Sequence, residues 1–118
     1  GPLPSSMAPN DTLVKQGSAY RTSLRMIVAS SKTPDEVVRK IGSLNDVFGI
    51  KVPEIVYSAA LRVGSLNQYG SFSQFLKACG RSLQRRPTKQ EVKTIIRIGA
   101  LISAHHSRIA DGNKKETK

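Results

Sequence analysis

Polar and apolar residues alternate along the segment Ser23–Ala29, where one face carries Leu24, Met26 and Val28. A period of two is typical of a β-strand, so the pattern predicts a short strand here. The same residues also fit a helix that runs from about residue 11 to residue 28. That helix would carry on one face the apolar residues Leu13, Tyr20, Leu24 and Ile27.

A helix is predicted directly after this segment, because residues 33–36 read Thr-Pro-Asp-Glu. Thr33 and Glu36 form a capping box, and Pro34 suits the first turn. Gly49 is placed to end this helix in a left-handed conformation. The apolar face of the helix consists of Val37, Ile41, Leu44 and Phe48.

A second helix is predicted from Pro53 to about Val63, and Gly64 is placed to end it. The side chains available to pack against the rest of the molecule are Ile55, Val56, Ala59, Ala60 and Val63. The sequence therefore predicts two short helices in close succession.

Two further helices are predicted in the second half of the chain. Ser71–Leu83 carries on one side Phe72, Phe75, Leu76 and Cys79. Thr88–Ala110 is opened by a second capping box, in which Thr88 and Glu91 are the partners, and is closed by Gly112. Its apolar stripe consists of Val92, Ile95, Ile96, Leu101, Ile102 and Ile109.

We expect four segments along the chain. Residues 1–20 would form a flexible N-terminal arm, in which Gly1–Ser6 look like an expression scar. Residues 21–64 hold the predicted strand and two helices. Residues 65–111 add a helical extension, and residues 112–118 would form a disordered basic tail.

The chain is strongly basic, since 19 Lys and Arg residues oppose eight Asp and Glu residues and give a formal net charge of +11. Such an excess attracts polyanions over a long range. Nucleic acid is therefore the leading candidate partner. An acidic protein is an alternative partner for the same charge.

Several other classes are excluded by what the sequence lacks. It has neither an apolar run that could cross a membrane nor a signal-peptide core. The single cysteine, Cys79, excludes an internal disulfide and fits a reducing cytoplasm. His105 and His106 are neighbours on a helix and point about 100° apart, so they cannot chelate one metal together. We expect neither an enzyme, a cofactor nor a metal site.

A strand followed by two helices is an incomplete fold in a single chain. The backbone donors and acceptors of a lone strand need a partner, and the same strand of a second copy supplies one. The expected result is a homodimer with a two-stranded antiparallel ribbon above four helices. A monomer that folds two equivalent halves of one chain is left open.

The runs Pro34–Gly49 and Ile50–Arg62 resemble the ribbon-helix-helix family of DNA-binding proteins, the group that contains Arc and MetJ. The shared features are a helix that opens with proline and acidic residues, a glycine that ends it, and a second helix soon after. The resemblance implies a mainly α fold with one short β-strand, extended here by C-terminal helices. It also implies a dimer that binds double-stranded DNA in a sequence-specific way.

The resemblance further implies which residues contact DNA. The outward side chains of the ribbon would reach base edges, and these are Arg21, Ser23, Arg25 and Ile27. For Arg21 and Arg25, a solvated helical face is the alternative. Phosphate contacts would come from the start of the second helix, at Lys51, Val52 and Glu54. Independently of the family, the sequence has a cluster of arginines at Arg81, Arg85 and Arg86. This cluster is either a phosphate clamp or a solvated helix end.

Two biological roles fit the resemblance, an accessory factor of a plasmid relaxosome and a transcriptional repressor. Both imply a bacterial cytoplasmic protein on the nucleoid or a plasmid, and the C-terminal helices would recruit a protein partner such as a relaxase. An alternative from another class is an all-helical, basic RNA-binding or nucleoprotein assembly module, in which Ser23–Ala29 is helical. A third is a scaffold for an acidic protein.

Overall fold

Five α-helices form the part of the chain that the computed structural model describes, residues 9–116, with side chains described for residues 15–112. The helices are α1 (Pro9–Ser30), α2 (Pro34–Val47), α3 (Glu54–Val63), α4 (Phe72–Leu83) and α5 (Lys89–Glu116). A 3-10 turn, Leu66–Gln68, lies between α3 and α4. None of the described helices combines the length and apolar character needed to span a lipid bilayer.

Ser23–Ala29 lies inside α1, so the predicted β-strand and the ribbon-helix-helix fold are wrong, and residues 9–116 are free of strands. The deciding spacing is that of Tyr20, Leu24 and Ile27, which follows the helical period and places all three partly inside the molecule. Met26, which a strand would turn inward, is 64% exposed. A helix satisfies its own backbone groups, so α1 needs no strand from a second copy.

The ends of α1 and α5 differ from the predicted segment boundaries. α1 begins at Pro9, so residues 9–20 are its first half rather than a separate arm, and residues 1–8 lie outside the described part. α5 continues through Gly112 to Glu116, so Gly112 does not end this helix.

The ends of α2 and α3 lie close to where the sequence predicts them. The capping box at Thr33 is half formed, because the Glu36 carboxylate accepts from the backbone N–H of Lys32 rather than from that of Thr33. Thr33 Oγ1 accepts a hydrogen bond from the backbone N–H of Glu36 at 3.1 Å, and Pro34 occupies the first turn. Gly49 follows α2 with φ +71°, and Gly64 follows α3 with φ +75°. Glycine adopts positive φ without steric cost, which explains why both helices end where they do.

The core lies around α3, which packs against α2, α4 and α5, while α1 packs against α2 and α5. The predicted apolar faces supply most of the core, although Ile55 is 46% exposed. The side chains buried most completely in it are Val37, Ile41, Val56, Ala59, Ala60, Val63, Phe75, Cys79, Leu83, Ile95 and Ile98.

Three polar side chains form a hydrogen-bonded chain that joins α1, α2 and α3. The Tyr20 hydroxyl donates to Asn45 Oδ1 at 2.5 Å, and Asn45 Nδ2 donates to the Tyr57 hydroxyl at 2.7 Å. Burial is the main cause that raises the pKa of Tyr20. Because Asn45 is buried, these bonds offset the cost of removing its amide from water.

α5 touches two other parts of the chain closely. A Cβ atom at Gly99 would overlap the carbonyl oxygen of Gly64, so a glycine lets the backbone of α5 meet the turn after α3. Further along, Arg108 Nε donates to the carbonyl of Val28 at 2.9 Å, and a terminal nitrogen of Arg108 donates to the carbonyl of Ser31 at 2.8 Å. α5 thereby satisfies carbonyls at the end of α1.

Candidate functional site

Three cations form a row on the solvent face of α5, at Lys89, Lys93 and Arg97. They follow one another at four-residue intervals, so neighbours lie about 6 Å apart along the helix axis and differ by about 40° in direction, which keeps the three on one side of the helix. All three are exposed, and within the described residues none of them pairs with a carboxylate. We name this row the α5 ridge.

Glu91 is the only carboxylate in the sequence from residue 55 to residue 110. It is bound by an arginine that lies outside the ridge. Arg85 donates from both terminal nitrogens to the two Glu91 oxygens, at 2.8 Å for the first contact. The hydrogen bonds from Arg85 are the main cause that lowers the pKa of Glu91 from 4.5 to about 2. Like charges at four-residue spacing repel one another and destabilise a helix. An anion bound along the α5 ridge would reduce that repulsion.

Acidic and basic residues occupy different parts of the fold. Residues 55–110 contain nine Lys and Arg residues against the single carboxylate of Glu91. A polar groove between α2 and the start of α3 is instead lined by one cation, Arg39, and by four carboxylates, those of Asp35, Glu36, Asp46 and Glu54. The positive field of the protein is therefore strongest around α4 and α5.

An apolar groove of about 590 Å³ lies beside the ridge, between α4 and the first half of α5. Its floor consists of Phe72, Leu76, Val92 and Ile96, and its rim of Lys77, Arg86, Lys89 and Lys93. Phe72 is 52% exposed, and its ring stacks on that of Phe75, with 6.1 Å between the ring centroids. We name this feature the α4–α5 groove.

The ridge and the groove offer complementary chemistry. Cations in a row pair with the phosphates of a nucleic acid, whereas an exposed aromatic ring and apolar walls accept the faces of unstacked bases. In a duplex the base faces are hidden, so only the cations would be used. Together the two features fit a single strand better than a duplex.

The four side chains predicted to read bases do not share one face. Arg21 and Arg25 lie on the solvent face of α1, whereas Ser23 and Ile27 are partly buried. Residues two apart on a helix point about 200° apart, which explains the separation. The solvated helical face that was the alternative for the two arginines is what the structure contains.

The residues predicted to bind phosphate at the second helix are also separated. Lys51 lines a pocket that reaches α1 and α5, Glu54 lines the polar groove between α2 and the start of α3, and Val52 lines both. α3 begins at Glu54, and Pro53 occupies the N-cap. A carboxylate at this position repels phosphate, so the start of α3 is a poor anion site.

The predicted arginine cluster is divided among three environments. Arg85 is bound to Glu91, and Arg81 lines a small pocket on another side of α4 together with Arg62. Arg86 lies on the rim of the α4–α5 groove. Of the three arginines, Arg86 alone joins the basic surface at that groove.

Sequence reasoning did not single out Lys89, Lys93, Arg97 or Phe72 as candidate site residues. The three cations could have been found, because their spacing inside the predicted helix Thr88–Ala110 already places them on one face. Phe72 was assigned to the apolar side of its helix. Its exposure depends on the distance between α4 and α5, which local sequence does not give.

Other reactive side chains are engaged in the core or lie apart. Within the described part of the chain, no three His, Cys, Asp or Glu side chains come together to hold a metal ion. His105 is buried and His106 is exposed. Burial raises the pKa of the Cys79 thiol, which disfavours the reactive thiolate.

Comparisons of the chain with protein families, with curated proteins and with solved structures give no match. None of them identifies a ribbon-helix-helix relative. The function is therefore inferred from the α5 ridge and the α4–α5 groove themselves.

Proposed function

We propose that this protein is a non-enzymatic, all-helical module that binds single-stranded nucleic acid through the α5 ridge and the α4–α5 groove. The observation that carries the proposal is the row Lys89, Lys93 and Arg97, exposed and without carboxylate partners among the described residues, beside an apolar groove that exposes Phe72.

Binding would proceed by two kinds of contact. The backbone of the nucleic acid lies along the α5 ridge, where its phosphates form ion pairs with the three cations. Bases that leave the strand on the groove side stack on Phe72 and contact Leu76 and Ile96. Neither contact reads a base edge, so we expect weak sequence preference.

This function corresponds to the alternative of an all-helical, basic nucleic-acid-binding module, and not to the ribbon-helix-helix protein that reads double-stranded DNA. The repressor and relaxosome roles depended on a strand at Ser23–Ala29, and a helical segment removes that basis. The expected homodimer depended on the same unpaired strand. A single chain already presents both the ridge and the groove.

The test compares two triple variants that each remove three positive charges. The first is Lys89→Gln/Lys93→Gln/Arg97→Gln on the ridge, and the matched control is Arg21→Gln/Arg25→Gln/Arg39→Gln on exposed positions of α1 and α2. Fluorescence anisotropy with a labelled oligouridylate and with a labelled DNA duplex measures their affinities. We expect the ridge variant to lose at least about tenfold more affinity for the single strand than the control.

Equal losses in the two triple variants would mean that charge acts without a defined site, and would contradict the proposal. Tighter binding of the duplex than of the single strand by the wild-type protein would contradict the choice of ligand. Binding of neither nucleic acid would reject the function.

Phe72→Ala separates stacking from charge. Because the ring is half exposed, its loss should affect folding little. We expect affinity for the single strand to fall by at least about fivefold, with its salt dependence unchanged, since stacking contributes about 1–3 kcal/mol per base. Unchanged affinity would remove the groove from the proposed site.

A further inference from the structure

A second pocket, of about 480 Å³, opens where the α5 ridge reaches Arg97. It lies between α1, α2, α5 and the segment 50–53. Its walls are mainly aliphatic and include Leu24, Ile41, Val52, Val56, Ile98 and Leu101. Six exposed residues line its mouth, namely Ile50, Lys51, Pro53, Gln90, Arg97 and Ala100. The carboxylate of Glu91 also lines the pocket, and Arg85 engages both of its oxygens. We name it the α1–α5 pocket.

We infer that the α1–α5 pocket receives one unstacked nucleobase of a strand bound along the ridge, with the phosphate of that nucleotide on Lys51 and Arg97. This assignment rests on the proposed function, because the ridge must first hold the strand. It adds a defined position at which one base is removed from the stack.

The size and the walls of the pocket suit a base. Small-ligand pockets are about 300–1,000 Å³ and mostly apolar with a few polar groups, and bases taken out of a stack are held between apolar side chains and by hydrogen bonds to their edges. Asn45 lines the pocket and uses one N–H for Tyr57 and one lone pair for Tyr20. An amide has a second N–H and a second lone pair, which remain for a base edge.

The charges at the mouth indicate a tethered anion. Lys51 and Arg97 are exposed, and neither pairs with a carboxylate among the described side chains. Arg97 belongs both to the ridge and to the pocket, so a phosphate bound there continues the row at Lys89 and Lys93. Glu91 is the one carboxylate that lines the pocket, and because Arg85 holds both of its oxygens, Lys51 and Arg97 stay available to a phosphate.

A blocking variant tests the pocket without removing a charge. Ala100 is exposed and lines the mouth, so Ala100→Trp should place a ring across it while leaving the core intact. Ala104→Trp is the matched control, because Ala104 is exposed one turn further along α5 and does not line the pocket. The probe is a short oligoribonucleotide with a central 2-aminopurine, whose fluorescence rises when the base leaves the stack.

We expect the wild-type protein and Ala104→Trp to raise the 2-aminopurine fluorescence on binding. Ala100→Trp should abolish that rise and lower affinity by roughly tenfold, as measured by anisotropy. With an oligonucleotide that is abasic at the central position, the two tryptophan variants should bind equally. Thermal unfolding of both variants checks that each is folded.

A second pair of variants addresses the phosphate. Lys51→Gln should reduce the fluorescence rise, whereas Lys15→Gln, at an exposed position of α1, should leave it unchanged. Equal fluorescence and affinity for Ala100→Trp and Ala104→Trp would overturn the pocket assignment and leave the ridge proposal intact. Failure of the wild-type protein to bind any single strand would overturn both.

Discussion

His105 Nε2 lies 2.9 Å from the carbonyl oxygen of Ser31, although the two residues are 74 positions apart in the chain. The same oxygen accepts a hydrogen bond from Arg108. The carbonyls in the last turn of a helix have no partner within that helix. Two side chains of α5 therefore fix the end of α1, which otherwise packs through partly buried side chains such as Leu24 and Ile27.

Arg108→Ala should lower the free energy of unfolding by about 1.5–3 kcal/mol, because it removes two charge-assisted hydrogen bonds to carbonyls at the end of α1. Urea denaturation measures the change. Arg39→Ala removes an exposed arginine of α2 and should change stability by less than about 0.5 kcal/mol. A similar effect of the two variants would contradict the anchoring role of Arg108.

Substitution of two helical glycines by alanine should change the free energy of unfolding in opposite directions. At Gly42 a Cβ atom would meet only ring atoms of Tyr57, the nearest at 3.8 Å, so Gly42→Ala should stabilise the protein by about 0.5–1 kcal/mol. At Gly99 it would overlap the backbone of Gly64, so Gly99→Ala should destabilise by at least about 1–3 kcal/mol. Thermal and urea unfolding measure both, and a stabilising Gly99→Ala would refute the close approach.

The Arg85–Glu91 pair should make stability depend on acid pH. Because the pKa of Glu91 falls from 4.5 to about 2 on folding, its stabilising contribution is complete above pH 4.5 and is lost as the pH falls through about 2. The difference in Tm between the wild-type protein and Glu91→Gln should therefore shrink from pH 6 to pH 2. Arg85→Gln should behave like Glu91→Gln, and a pH-independent difference would contradict the pairing.

The ridge variant should also show a smaller salt dependence of binding. Each phosphate contact to a single strand contributes roughly 0.7 to the slope of log affinity against log salt, so removing three contacts should reduce the slope by about 2. Affinities at a series of NaCl concentrations give the slope. The control variant at Arg21, Arg25 and Arg39 should keep the wild-type slope, and a reduction equal to that of the ridge variant would argue against a defined contact surface.

Local signals predicted local structure well. The capping threonines Thr33 and Thr88, and the glycines after α2 and α3, act within a few residues, so sequence alone located these helix ends. The strand prediction failed because an alternation over seven residues also occurs within a helix. The evidence for the helix lay in the longer spacing from Tyr20 to Ile27, and the burial that favours it comes from α2 and α5.

In the candidate site, too, sequence predicts what depends on one helix and does not predict what depends on packing between helices. The α5 ridge follows from the spacing of three cations on one helix and was within reach of sequence reasoning. The α4–α5 groove was not, because its width depends on how α4 packs against α5. The sequence alone does not distinguish Arg85 from its neighbour Arg86, but in the structure Arg85 is the one that binds Glu91. Tertiary contacts therefore decide which cations are free for a ligand.

The concentration of carboxylates at α2 and the start of α3, away from the cations of α4 and α5, gives the molecule an electric dipole in addition to its net charge. Within the Debye length, which is about 8–10 Å at physiological salt, a polyanion exerts a torque on such a dipole. The protein would then rotate so that α5 faces the polyanion before the two molecules touch. Productive encounters would be more frequent than for a particle with the same charge spread evenly.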